Sequence, residues 1–138
     1  MKGQKGIWID GKKAMIVTIE NDKPELEVLD SEVVYRLRIE GEGKAYTRFG
    51  DTFMTNETKD EERIRQERKL FLQTVAGRLD PDYDIVIAGP AMTKKELAKM
   101  LDEQQAYANK LITVKPLDSM TDNQFVAWVQ EYFQQVAG

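Results

Sequence analysis

The chain has 138 residues and a mass of 15.9 kDa, which fits one domain of ordinary size. Hydrophobic residues make up 41% of it and charged residues 32%. Cysteine and histidine are both absent, which excludes disulfides, thiolate nucleophiles, Cys/His zinc sites and Ser-His-Asp triads. An enzyme built from this chain would depend on carboxylates, lysines, hydroxyls, backbone amides or a hard cation.

The net charge of −4 is unevenly distributed. Residues 80–138 carry 5 basic and 9 acidic side chains, and the first part of the chain is neutral. An anionic partner would therefore meet the first part. No apolar run approaches the roughly 18 residues that cross a membrane, and the first residues lack the apolar stretch of a signal peptide. We expect a cytoplasmic protein without a membrane partner.

Three strands at hairpin spacing are predicted at the start of the chain. The apolar runs 7–10 and 14–20 flank Asp10-Gly11-Lys12-Lys13, where glycine suits the positive φ of a primed turn. A third strand is predicted over about 25–39, with a bulge or bend near Asp30 where its alternation shifts.

Residues 40–56 show neither the helical nor the strand pattern of apolar residues. They predict a long, flexible loop of the kind that is functional or disordered. A helix is predicted over 57–79, with acidic first turns that suit its dipole and a Glu61–Arg65 pair at i,i+4. Its apolar stripe consists of Ile64, Phe71, Val75 and Leu79, supplemented by Leu72 and Ala76.

The remainder of the chain alternates strands and helices. A continuous apolar run predicts a buried parallel strand over 83–88, and a capping box at Thr93–Glu96 predicts a helix over about 93–105. A further strand is predicted over 111–114, before a second capping box at Thr121–Gln124. The final helix presents one apolar face, formed by Phe125, Val129, Phe133 and Val136.

The resulting order, βββ-α-β-α-β-α, predicts one α/β domain over residues 1–138. Three hairpin-spaced strands followed by helix-linked strands imply a mixed five-stranded sheet in a three-layer arrangement. This is the element order of the ribonuclease-H-like superfold, and a superfold does not by itself assign a function.

Two candidate sites have simpler structural explanations. Asp10 could hold a hard cation with Asp84 or Glu20, but a hairpin turn explains Asp10-Gly11 in full. The strand-to-helix segment 88–95 could bind phosphate through backbone amides, but its Pro90 has no amide proton, and a tight turn with two solvated lysines is favoured. We predict no metal and no cofactor.

The region 36–69 combines basic and aromatic residues, which is the composition of a single-stranded nucleic-acid site. The basic residues are Arg36, Arg38, Lys44, Arg48, Lys59, Arg63, Arg65, Arg68 and Lys69, and the interleaved aromatics are Tyr46 and Phe49. Residues 59–69 have a net charge of only +1, so the alternative is a solvated, self-paired helix face.

The same region resembles a known family. The 41–49 sequence, Gly-Glu-Gly-Lys-Ala-Tyr-Thr-Arg-Phe, precedes a charged helix containing Arg65-Gln66-Glu67-Arg68. It resembles a decayed form of the Gly-Gly-Gln loop in the middle domain of eukaryotic and archaeal class I release factors. The strand-to-helix turn at 85–97 is similar to the next strand-to-helix turn of that family. The 118–124 motif is similar to small bacterial relatives of translational-machinery or host-attachment type.

The resemblance covers most of the chain, implies the ribonuclease-H-like fold and implies ribosome or tRNA contact. The implied RNA-binding residues are Gly41, Gly43, Lys44, Tyr46, Arg48, Phe49, Arg63, Arg65, Arg68 and Lys69. In release factors the glutamine places an amide and a water at the peptidyl-tRNA ester. Here the corresponding triplet is Gly41-Glu42-Gly43 or Gly43-Lys44-Ala45, and a glutamate would repel the developing oxyanion. We therefore expect a non-catalytic or weakly active binding protein.

Two alternatives stay open. The first is a hydrolase of tRNA-linked peptides that uses the same loop as its active site. The second is a protein-interaction module or homo-oligomer without a nucleic-acid role. Trp128 and Tyr132, at i,i+4 on the last helix, would form its partner surface if they are exposed, and would belong to the core if they are buried.

Overall fold

The computed structural model describes residues 3–42, 56–110 and 112–137. Five strands form one mixed sheet in the order β3-β2-β1-β4-β5. The strands are β1 (Gln4–Ile9), β2 (Lys13–Glu20), β3 (Lys23–Asp30), β4 (Asp84–Gly89) and β5 (Thr113–Pro116). Strands β1, β2 and β3 pair antiparallel, whereas β4 lies parallel to both β1 and β5.

Helices cover both faces of the sheet. They are α1 (Ser31–Glu42), α2 (Asn56–Gly77), α3 (Thr93–Asp102) and α4 (Asp122–Ala137), with a short 3-10 turn at Gln105–Tyr107. One core lies between the sheet and α1, α2 and α3, and a second core lies under α4. The predicted three-layer α/β fold is therefore confirmed, with α1 as an additional helix. No described helix is long and apolar enough to cross a membrane.

The additional helix replaces the second half of the predicted third strand. Strand β3 ends at Asp30, whose Oδ1 accepts hydrogen bonds from the amides of Glu32 (2.9 Å) and Val33 (3.1 Å). This is an N-cap, which satisfies donors that the first helical turn leaves unpaired. The break in alternation at Asp30 thus marks a helix start, and the prediction of one strand to residue 39 with a bulge or bend is wrong. Val34 faces the core, while Leu37 is 66% exposed.

Two hairpin turns join the three strands, and the positive φ angles occur in the second turn and not in the first. The turn between β2 and β3 contains Asn21 and Asp22 at φ 54° and 65°, as a type I′ turn requires. In the turn between β1 and β2 Gly11 has no positive φ. Asp10 Oδ1 instead accepts hydrogen bonds from the amides of Lys12 and Lys13, both at 2.8 Å. The expectation of a primed turn at Gly11 was wrong.

The two predicted capping boxes have opposite outcomes. The Thr121 amide donates to Gln124 Oε1 (3.0 Å) and the Gln124 amide donates to Thr121 Oγ1 (3.2 Å), which confirms the box before α4. At α3 the N-cap is Met92, without a side-chain hydrogen bond, and Thr93 is already inside the helix and buried. The first predicted box is therefore wrong.

The predicted apolar stripes are confirmed except at one end of each helix. Phe71, Val75 and Leu79 of the α2 stripe are buried, as are Phe125, Val129 and Phe133 of α4. Ile64 and Val136 are 62% and 65% exposed. Of the predicted loop, residues 40–42 belong to α1, and residues 43–55 lie outside the described part of the chain.

Candidate nucleic-acid interface

The first half of α2 projects beyond the sheet. Its second half is anchored in the core by Phe71, Val75 and neighbouring residues, whereas the side chains from 61 to 65 are exposed. Arg68 contacts Glu96 in the first turn of α3, which follows the end of β4. The projecting half therefore lies beyond the strand ends at which β1 and β4 finish.

Arg63 is held against α1. Its guanidinium carbon lies 5.3 Å from the centre of the Tyr35 ring, a cation–π contact that links α2 to α1. Tyr35 was not singled out from the sequence, because it occupied a position in the predicted third strand. Placing residues 31–42 on a helix would have brought Tyr35 into consideration.

Arg65 and Lys69 are one helical turn apart and share a face of α2. Both are exposed. The Arg65 guanidinium lies 3.8 Å from the Glu62 carboxylate, and the side chains of this pair are 73% and 54% exposed. The pairing that forms is thus i,i+3 with Glu62, and no contact of Arg65 with the predicted partner, Glu61, is found among the described residues.

Arg68 is directed towards α3, where its guanidinium donates to Glu96 Oε1. The two side chains are 47% and 38% exposed. This contact joins positions that are 28 residues apart in sequence. Arg68 therefore helps to dock α3 against α2.

The predicted basic side chains of α2 therefore point in different directions. The structure brings Arg65 and Lys69 together on one exposed face, and it turns Arg63 towards α1 and Arg68 towards α3. Gly41 lies in the last turn of α1. The other predicted residues, which lie outside the described part of the chain, are Gly43, Lys44, Tyr46, Arg48 and Phe49.

The carboxylates considered for a metal lie far apart. Asp84 and Glu20 lie near the start of β1, whereas Asp10 follows the end of β1. Asp84 Oδ1 lies 3.9 Å from Lys110 Nζ, and the Glu20 carboxylate accepts a hydrogen bond from Tyr83 Oη at 2.8 Å. Across the described residues there is no group of three or more acidic side chains that could hold a metal ion.

The strand-to-helix segment uses one of its two lysines internally. Lys94 is buried, and its Nζ donates to the Ala91 carbonyl. Only Lys95 is exposed, so the expectation of two solvated lysines was wrong for Lys94. The tight turn itself is confirmed, because β4 ends at Gly89 and α3 begins at Thr93.

Trp128 and Tyr132 belong to the second core. Both are half-buried and pack against it. The Trp128 ring stacks on Phe125 at 5.9 Å and on Tyr132 at 5.5 Å. The structure therefore agrees with the core interpretation of these residues.

No protein-family model and no curated protein matches the sequence. Among solved structures, an archaeal translation termination factor, aRF1, matches with a TM-score of 0.51 at 15% identity, over 94% of this chain and 34% of that chain. The Pelota protein of Thermoplasma acidophilum matches with a TM-score of 0.46 at 12% identity, over 96% of this chain and 32% of that chain. The chain spans about one third of either protein. The aRF1 match shows a release-factor-like fold.

Proposed function

We propose that this protein is a translation-associated RNA-binding protein that contacts the ribosome or tRNA. The contact surface is the exposed face of α2 that carries Arg65 and Lys69, together with the 43–49 sequence that precedes this helix. The observation that carries the proposal is the exposed pair Arg65 and Lys69 on a helix that extends past the core.

The ion pairs on α2 are weak enough to be replaced by phosphate. Exposed pairs of this kind contribute about 0–1 kcal/mol, and the Arg65–Glu62 pair is more than half exposed on both sides. A backbone phosphate of RNA also offers Arg65 a bidentate acceptor. Lys69 has no carboxylate partner among the described residues, so it would reach a second phosphate without losing a contact.

The chain's net charge of −4 limits the contact to this local surface. Phosphate contacts provide affinity without reading sequence, so we expect recognition of RNA shape together with stacking by Tyr46 or Phe49. The fold shared with a translation termination factor supports translation as the process to test first. The chain has no Gly-Gly-Gln sequence, which supports binding rather than ester hydrolysis.

The proposal is tested by sedimentation through sucrose gradients at low salt, with filter binding of tRNA in parallel. The wild-type protein is expected to migrate with ribosomes or to bind tRNA. Lys69→Glu is expected to weaken that binding by about tenfold, because it replaces an attraction to phosphate by a repulsion.

Lys23→Glu is the matched control. It makes the same charge change at an exposed residue where β3 begins. This position lies at the opposite ends of the strands from the projecting half of α2. Lys23→Glu is expected to change binding by less than about twofold. If the wild-type protein binds neither ribosomes nor tRNA, or if both variants lose binding equally, the proposed surface is wrong.

A further inference from the structure

Strand β3 forms one edge of the sheet, and its register shows which backbone groups face outward. The type I′ turn at Asn21–Asp22 makes Glu20 and Lys23 a hydrogen-bonded pair. Hydrogen-bonded pairs recur at every second residue, so the odd-numbered residues of β3 bond to β2. The Ser31 amide, which continues this series, donates to the Lys12 carbonyl at 2.8 Å.

The even-numbered residues of β3 therefore point their backbone groups away from the sheet. Leu26 and Val28 each present an N–H and a carbonyl on this outer side, while Pro24 presents only a carbonyl. In the described part of the chain no strand pairs with this edge. Such an edge can hydrogen-bond an added strand.

The side chains of β3 differ between the two faces of the sheet. Leu26 and Val28 lie opposite Val17 and Met15, which belong to the core under α4. They are 37% and 49% exposed, so they extend that apolar surface to the edge. The other face carries Glu25, exposed, and half-buried Glu27, whose carboxylate lies 3.4 Å from the Arg78 guanidinium.

The surroundings of the edge are strongly acidic. The exposed or half-buried carboxylates on β3 and its flanking residues are Glu20, Asp22, Glu25, Glu27, Asp30 and Glu32. Lys23 is the one basic residue between positions 20 and 32. A second copy of β3 would place carboxylates opposite carboxylates, which destabilises strand pairing. The charge complement of this edge is a basic strand.

We propose that the β3 edge docks an extended, basic peptide segment of a partner protein, added as a further strand of the sheet. Residues of that segment beside Leu26 and Val28 are apolar, and the alternate residues, beside Glu25 and Glu27, are lysine or arginine. This site is independent of the proposed RNA contact, since it lies on a different part of the surface and has the opposite charge.

The probe is a synthetic peptide of alternating valine and lysine, as long as β3, with fluorescence anisotropy as the readout. Glu25→Lys is expected to weaken its binding by about threefold to tenfold. Val28→Pro removes an outward donor at a position where an edge strand tolerates proline, and is expected to weaken binding by about fivefold. Glu103→Lys, an equal charge change at the end of α3, is the control.

Amide chemical shifts show where the peptide binds in the wild-type protein, without relying on a variant's stability. The shifts of Leu26 and Val28 are expected to move, and a peptide of alternating valine and glutamate is expected to leave them unchanged. The proposal is overturned if both peptides bind equally or if Glu103→Lys loses as much affinity as Glu25→Lys. It is also overturned if light scattering detects a dimer that Val28→Pro dissociates. None of these outcomes bears on ribosome binding.

Discussion

Helix α4 packs on β1 at Gly6, where the Val129 side chain lies directly against the glycine. A Cβ on residue 6 would lie 2.4 Å from Val129 Cγ2 and 2.8 Å from Cγ1, and Val129 is fully buried. Gly6→Ala therefore forces α4 away from the sheet. Shortening Val129 in the same molecule would remove the clash.

The cost of each change can be worked from this geometry. Overpacking by Gly6→Ala is expected to lower the free energy of unfolding by about 2 kcal/mol. Val129→Ala deletes two buried methyl groups and leaves a cavity, which costs about 2–3 kcal/mol. In the double variant the methyl group introduced at position 6 occupies the vacated space, so the expected loss is about 2 kcal/mol rather than the sum of about 4–5 kcal/mol.

The measurement is urea unfolding of the four proteins, with the free energy extrapolated to water. A domain of this size has about 5–15 kcal/mol of stability, so the single variants should still fold. Additivity within about 0.5 kcal/mol would mean that Val129 does not lie over Gly6. The placement of α4 would then be wrong.

Three further changes test local features. Tyr107→Phe removes a buried hydroxyl without a hydrogen-bond partner in the described residues, so it should raise the free energy of unfolding by about 1 kcal/mol in a urea titration. Asp30→Ala removes the N-cap of α1 and should lower the melting temperature by about 3–4 °C, whereas Asp30→Asn, which keeps an acceptor, should lower it less; equal losses would contradict the cap. The hydrogen bond to Glu20, followed by burial and by the charges of Glu20 and Asp80, raises the pKa of Tyr83 above its ordinary 10.0. The associated stability is therefore present below pH 10 and is lost as the pH rises through the folded-state pKa; an absorbance titration in which Glu20→Gln leaves that pKa unchanged would refute the assignment.

Local chemistry in the sequence was sufficient for much of the fold. The continuous apolar run before Gly89 became β4, and the reciprocal bonds between Thr121 and Gln124 begin α4 as predicted. Residues 31–39 were predicted as part of a strand because apolar side chains at 33, 35, 37 and 39 alternate as they do in a strand. The helix is selected by the Asp30 cap and by packing against α2, and that packing is a long-range contact.

The candidate site was predictable in composition and not in geometry. The cations of α2 could be read from the sequence, but their directions depend on where the helix leaves the sheet. The Arg68–Glu96 and Arg63–Tyr35 contacts each join separate helices. Among the α2 cations whose side chains the structure describes, Arg65 and Lys69 share an exposed face. The proposed contact is therefore one stripe of α2 and not the whole basic region.

The most direct measurement of the proposed function is the salt dependence of tRNA binding by the wild-type protein and by the Arg65→Gln/Lys69→Gln variant. Each phosphate contact contributes about 0.7–0.9 to the slope of log affinity against log salt concentration. If this stripe of α2 binds phosphate, the variant's slope should be shallower by about 1.4–1.8. An unchanged slope, or no tRNA or ribosome binding by the wild-type protein, would contradict the proposed function.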